Sequence, residues 1–323
     1  MAMAPENRRR LPAFLHNGTV HAYALVIGLC LACAAIAYGT LRPEPIAATS
    51  ATAASPTPPS PREAGTLSLP PPSQLKVDFR RLPAAEYDGM IEVTADGERL
   101  PRISSSGWMP WIAYARRFDP NGPPARVGLL MLNLGADEAL TRRAIEELPP
   151  EVGLAFLAGT PDLPRWLKLA REWGHESYLM LPVDDPGGPA ERGIRPIEGT
   201  ADPAENLRRL RVAMARGEGY LGFVVPGHSV VSQSDLIARP LVKEIADRGL
   251  ALIEINPARV SAMYRLTVEL GVGYARSSTV LDYKLAQGSI DSNLERLVDW
   301  VSERPNDKPR HDFGVLQPDN AAI

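Results

Sequence analysis

From residue 126 onward, short and almost uninterrupted apolar runs alternate with amphipathic ones, and this rhythm limits the folds open to the chain. The runs are VGLLMLNL (127–134), VGLAFLA (152–158), SYLMLP (177–182), LGFVVP (221–226) and LALIEI (250–255), with STVLD (278–282) a weaker sixth. Strands that are apolar on both faces belong to parallel sheets covered on both sides. Helical spacing is predicted between them over 136–148, 162–173, 203–216, 234–248, 259–270 and 290–303. Asp202-Pro203 reads as an N-cap followed by a first-turn proline, and Gly174, Gly249 and Gly271 read as helix ends. The repeated strand-helix order predicts an α/β fold with a parallel sheet, either a barrel or a doubly wound sheet. The pattern alone does not choose between them.

The region before this alternation is of a different kind. An uncharged apolar run spans 22–38 and, with small flanking residues, approaches the ~20 residues that cross a bilayer core. Arg8, Arg9 and Arg10 precede it and only Arg42 follows before Glu44, so the positive-inside rule keeps the first 21 residues cytoplasmic and exports the rest. The expectation is a single-pass inner-membrane protein with a transmembrane helix over 22–40 and a periplasmic domain. A cleaved signal peptide has the same polarity, and Ala35-Ile36-Ala37 resembles a small-residue cleavage site, so that alternative stays open. Both cysteines, Cys30 and Cys33, fall inside the run, which leaves the exported part without disulfides or a thiol nucleophile.

Residues 41–73 are rich in Pro, Ala, Ser and Thr and read as an extended linker. Residues 74–122 contain Trp108, Trp111, Tyr114 and Phe118, an aromatic density that reads as a strap packed on the main domain, 123–303. Residues 304–323 read as a polar tail. With 35 basic against 38 acidic residues the chain has no basic field for nucleic acid, and no nucleic-acid partner is expected.

Parallel α/β folds build their sites at the C-terminal ends of the strands. There the sequence places Asn133, Asp184, Asp185, His228, Ser229, Glu254, Asn256 and Asp282. Only one histidine is among them, whereas a zinc hydrolase needs several converging His, Asp or Glu ligands. His175 begins a strand and so lies at the opposite end, in a structural or surface role. Two motif matches are discounted. The G-x-G-x-x-G of 217–222 enters a strand, whereas a dinucleotide loop leaves one. Gly227-His228-Ser229 lacks the closing glycine of a nucleophile elbow, where Val231 stands instead.

The segments PRISSSGWMPWIAYARRFDP, ARVGLLMLNLG, LPPEVGLAFLAGTPDLPRWLKLAREWGHESYLMLPVDDP, NLRRLRVAMARGEGYLGFV and ADRGLALIEI, in this order and spacing, resemble the divergent polysaccharide deacetylase family over roughly 100–285. The resemblance implies a distorted (β/α) barrel, a bacterial cell-envelope setting and a glycan ligand. It also implies a metal site that this chain does not reproduce. Where the family's metal-binding form has paired aspartates, Leu132 and Asn133 stand. A histidine position is matched by Met180, another by Pro226 with His228 two residues on, and a strand-ending aspartate by Glu254; a later Gly-His has no counterpart. Leucine, methionine and proline supply neither a base nor a ligand for a hard or borderline metal. The expectation is a deacetylase-like protein without the metal-dependent site. It binds an envelope polysaccharide or a protein partner, with Asp184, Asp185, His228, Ser229, Glu254 and Asp282 around the cleft and no cofactor. The alternatives are a hydrolase with a rebuilt site, for which zinc or another divalent metal would be needed, and a purely structural envelope protein.

Overall fold

A computed structural model describes residues 82, 89–117, 126–184, 193–257, 261–277, 279–303 and 311–323. The expected transmembrane run, the linker, Phe118 and Asp185 lie outside them. Among the described residues no helix is long and apolar enough to cross a membrane.

The strands are β1 (Ile91–Val93), β2 (Arg99–Pro101), β3 (Arg126–Leu134), β4 (Gly153–Leu157), β5 (Ser177–Met180), β6 (Gly222–Pro226), β7 (Ala251–Ile255), β8 (Tyr274–Ser277), β9 (Thr279–Val280) and β10 (His311–Leu316). The helices are α1 (Pro110–Ala113), α2 (Glu138–Glu147), α3 (Leu163–Trp173), α4 (Pro203–Met214), α5 (Val230–Gln233), α6 (Asp235–Asp247), α7 (Ala262–Leu270) and α8 (Gln287–Ser302). β1 and β2 form an antiparallel hairpin. The other eight strands form one parallel sheet in the order β8-β7-β6-β5-β4-β3-β10-β9.

The two ends of that order are successive in the chain. β8 pairs with β7, β9 pairs with β10, and only residue 278 separates them, so the sheet curls into a nearly closed barrel. The Ser277 hydroxyl donates to the Phe313 carbonyl across this seam. The barrel thus answers the choice between barrel and doubly wound sheet that the apolar rhythm left open.

Alternation along the strands separates two cores. One set, Leu130, Leu132, Ala155, Leu157, Met180, Val224, Ile253, Ile255 and Val315, fills the barrel interior. The intervening residues, such as Met131, Leu154, Phe156, Leu179, Phe223, Val225, Leu252 and Leu316, pack outward against the helices. In α3 the buried positions Leu163, Trp166, Leu167 and Ala170 form the stripe that meets this outer layer. The helices start and stop where side-chain chemistry dictates. Asp137 accepts from Leu140 N at 2.8 Å, Asp202 from Ala204 N at 2.8 Å and Ser261 from Tyr264 N at 3.0 Å. Gly174 ends α3 at φ 97°, a left-handed conformation costly for any residue with a Cβ.

The segment 304–323, expected as a polar tail, instead supplies strand β10. It lies between β9 and β3 with all six residues in register against β3. Its sequence HDFGVL turns Phe313 and Val315 inward and Leu316 outward, so one hydrophobic alternation inside a polar context is enough to complete the wall.

The aromatic strap covers the N-terminal end of the barrel. Met90, Tyr114 and Leu221 are buried together, with Trp108, Trp111 and Tyr178 packed beside them. Trp111 N donates to Gly249 O at 3.2 Å, and Arg116 N donates to Glu176 Oε1 at 2.6 Å. The buried Arg171 guanidinium donates to Tyr114 O at 3.1 Å and Gly219 O at 3.2 Å while its carbon lies 5.1 Å from the Tyr114 ring centre. Glu176, Gly249 and Gly219 lie one, two and three residues before the starts of β5, β7 and β6, so the contacts fall on one end of the barrel.

His175 belongs to this structural end as well. It is completely buried, with Nδ1 2.8 Å from Val152 O and Nε2 3.0 Å from Ile145 O. Burial pushes its imidazole below the usual histidine range, against the pull of those two carbonyls.

Candidate functional site

With the strap over one end, the C-terminal mouth is the face on which loops and strand ends can meet a ligand. Its floor is apolar. Leu132, Leu157, Met180, Ile253 and Ile255 form the upper layer of the interior and keep a small residual exposure. Pro226, half-buried, ends β6 beside them.

Three polar residues from adjacent strand ends stand on the rim. Asn133, next to last in β3, lies in the left-handed region at φ 55°, where the pairing of β3 with β4 shifts register between Met131 and Leu134. Asparagine tolerates this conformation better than most residues with a Cβ. Its Nδ2 donates to Gln317 Oε1 at 3.1 Å. Gln317 N in turn donates to Asp282 Oδ2 at 2.5 Å. Leu281 and Leu316 pack in the outer core, and Asp282 and Gln317 follow them just past the ends of β9 and β10. Asp282 is mostly buried, and burial raises its carboxyl above the usual aspartate range while the Gln317 amide opposes the shift.

The other expected site residues separate. Asp184, after β5, and His228, after β6, are exposed at neighbouring strand ends. Asp185 lies outside the described residues. Ser229 is buried and caps α5, its oxygen 3.3 Å from Ser232 N, an assignment that replaces the nucleophile-elbow comparison with a helix cap. Asn256 is exposed at φ 52° after β7.

Glu254 is corrected as a cleft residue. Ile253 and Ile255 point into the barrel, so Glu254 between them points out, beneath α7. There Oε2 accepts from the Ser261 hydroxyl at 2.7 Å and the Tyr274 hydroxyl at 2.6 Å. Burial, followed by the hydrogen bond to Glu254, raises the Tyr274 phenol far above its usual range. The second oxygen, Oε1, is buried and has no hydrogen-bond partner among the described residues. A carboxylate in this place holds β7, β8 and α7 together and does not face the mouth.

Sequence reasoning misses Gln317 because it follows a strand whose polar surroundings read as tail. The signal that could have found it is the inward-outward alternation of Phe313, Gly314, Val315 and Leu316 immediately before it.

These residues do not fit a divalent metal. Leu132 and Met180 present hydrocarbon and thioether, Pro226 presents no donor side chain, and Asn133 offers only a neutral amide oxygen, a weak replacement for a carboxylate ligand or base. Among the described residues no group of three or more His, Cys, Asp or Glu side chains converges as a metal site would require.

Architecture and site together define a parallel (β/α) barrel plugged at its N-terminal end, with an apolar floor and an amide and carboxylate rim at the other. The sequence pattern of the divergent polysaccharide deacetylase family matches residues 130–306, more than half of the chain, and the chain belongs to that family. No curated protein matches the sequence. The crystal structure of an uncharacterized protein from Agrobacterium tumefaciens is 25% identical and superimposes with a TM-score of 0.62, over 70% of this chain and 89% of that one. The crystal structure of a candidate dihydrodipicolinate synthetase from Pseudomonas aeruginosa overlaps at a TM-score of 0.30 with 10% identity, over 60% of this chain and 71% of that one, too weakly to bear on the argument.

Proposed function

We propose that this protein is a deacetylase-like barrel that binds an envelope glycan, or a protein partner, at its C-terminal mouth without metal-dependent deacetylation. The observation that carries the reading is the upper interior of the barrel. Leu132 and Met180, at positions the family resemblance matches to an aspartate and a histidine, are packed among Leu157 and Ile255 as ordinary core residues. Deacetylation by metal-activated water needs a ligand set and a base together, and hydrocarbon supplies neither. A parallel barrel with an apolar floor and a polar rim suits a sugar, which offers both CH faces and hydroxyls.

In this reading residues 22–40 anchor the protein in the inner membrane and 41–73 hold the barrel away from it in the periplasm; Arg8, Arg9 and Arg10 before the apolar run support that orientation. Protease added to spheroplasts is expected to digest the domain, and survival of the domain until the membrane is lysed would reverse the topology. The functional test uses the purified full-length protein with zinc and an acetylated chitooligosaccharide. No tight uptake of one equivalent of zinc and no acetate release are expected; both together would overturn the proposal.

A further inference from the structure

We infer that the cavity between α4 and residues 193–195 is an anion site, in which Arg195, Arg208 and Arg209 receive the carboxylate of an organic acid about the size of a uronic acid. The site is separate from the barrel mouth, and the inference holds whatever the mouth takes.

The cavity encloses about 370 Å3 and is lined by Gly193, Arg195, Arg208, Arg209 and Val212. Two stretches of chain bring the three guanidinium groups to it. Arg208 and Arg209 stand four and three residues before Val212 on α4, so all three share one face of the helix. Arg195 comes from the segment that returns to the end of β5, where Val183 bridges Ile197 and Ile197 N donates to Pro182 O at 2.7 Å. Ile194 and Ile197, on either side of Arg195 in the chain, are buried in the outer core, so a packed backbone holds this exposed side chain at the cavity.

Charge decides what such a cavity takes. Glu205 accepts from Arg208 Nε and Nη2 and from Arg209 Nε, each at 2.8 Å. Arg209 Nη1 donates to Pro196 O at 2.5 Å and lies 3.2 Å from Glu198 Oε2. Hydrogen bonds from the two guanidinium groups hold the Glu205 carboxyl down at about 2, so it stays ionised. Two carboxylates thus balance two of the three cations. Arg195 is the third: it is exposed and, among the described residues, has no hydrogen bond or ion pair. Glu98 acts on Arg208 from farther away and does not line the cavity. The surplus is one positive charge, which a carboxylate neutralises. A phosphate monoester, at about −1.5 to −2 near pH 7, overshoots it beside Glu198 and Glu205.

The donor inventory agrees. A guanidinium is a fork of N–H donors with no acceptor, suited to a carboxylate. The whole Arg195 fork, Arg208 Nη1 and Arg209 Nη2 have no hydrogen-bond partner among the described residues. Their bonds to Glu205 already fix Arg208 and Arg209, which lowers the ordering cost of binding. The volume sits at the lower end of the ~300–1,000 Å3 of small-molecule sites, room for one ring-sized acid. Half-buried Val212 offers the CH groups of that ring an apolar contact.

The experiment is isothermal titration of the full-length protein, at low salt, with glucuronate, glucose 6-phosphate and glucose. Glucuronate carries a carboxylate where glucose carries a hydroxymethyl group, and glucose 6-phosphate carries a phosphate there. Wild type is expected to bind glucuronate at least about tenfold tighter than glucose, and tighter than glucose 6-phosphate. Arg195→Gln should leave the urea midpoint unchanged and weaken glucuronate binding about tenfold or more. Arg195→Lys keeps the charge without the planar fork and should fall between the two. Lys168→Gln removes the same charge from an exposed position of α3 outside the cavity and should leave glucuronate binding unchanged. Equal binding of glucuronate and glucose overturns the site. Equal weakening by Arg195→Gln and Lys168→Gln also overturns it, since that would show only diffuse attraction. Binding of glucose 6-phosphate as tight as glucuronate or tighter overturns the carboxylate assignment and the proposal with it.

Discussion

Leu132→Asp places a carboxyl where the family resemblance expects one, in a barrel without the neighbours to use it. Leu132 is 7% exposed and packs with Leu157, Met180 and Ile255 in the barrel interior. Removing the leucine side chain forfeits about 2–3 kcal/mol of burial. The added carboxyl need not be buried as an anion, because the folded protein can hold it protonated. For a group of ordinary pKa about 3.9, protonation near pH 7 costs about 4 kcal/mol, and near pH 4 almost nothing. The sign follows: burial raises the folded pKa, folding takes up a proton, and stability falls as pH rises between the unfolded and folded values. Burying the unpaired neutral carboxyl adds about 1 kcal/mol, so Leu132→Asp is expected to be about 4 kcal/mol less stable than wild type near pH 4 and up to about 8 kcal/mol less stable near pH 7, a large part of the total stability of a domain. Leu132→Asn keeps the shape without the titration and is expected to lose about 4 kcal/mol at both. Urea unfolding of the three proteins at the two pH values, with and without zinc, reads these differences. A Leu132→Asp deficit that does not change with pH would mean a wet, open position. A zinc-dependent rise in its midpoint would mean that metal ligands surround it. Either result refutes the reasoning.

Two further outcomes concern the structural end. His175 is held below the usual histidine range by burial, so between its folded value and about 6.5 the unfolded chain binds the proton better; its contribution is full above that range and lost as pH falls through the folded value. An NMR titration of the His175 ring with a midpoint at or above 6.5 would contradict this. Tyr114→Ala removes a fully buried ring under the Arg171 guanidinium and should cost about 3–5 kcal/mol in urea unfolding; a loss under about 1 kcal/mol would show that the strap is not part of the cooperative unit.

Strands β3 to β7 and the longer helices between them, α2, α3, α4 and α6, were legible because each is decided by local signals: an apolar run, a helical stripe, a capping Asp or Ser, a terminal glycine. β10 was not, since HDFGVL is short and set among polar residues, and its value lies in filling the gap between β9 and β3. Glu254 shows the same limit at a single residue. Its place at the end of an apolar strand suggested the cleft, yet only the parity of its strand relative to the barrel, inward at Ile253 and Ile255, sends its carboxylate outward to Ser261 and Tyr274.

The sequence by itself determined the α/β class, the order of the elements, the resemblance to the deacetylase family and the absence of carboxylate and imidazole at Leu132 and Met180, because side-chain chemistry and short-range periodicity are properties of the chain. The tertiary structure decided that the sheet curls into the nearly closed barrel the resemblance implied, and it alone decided that the strap covers the N-terminal end and that Asn133, Asp282 and Gln317 meet on one rim. Residues so far apart in the chain become neighbours only through the pairing of β9, β10 and β3, and no local pattern encodes that register.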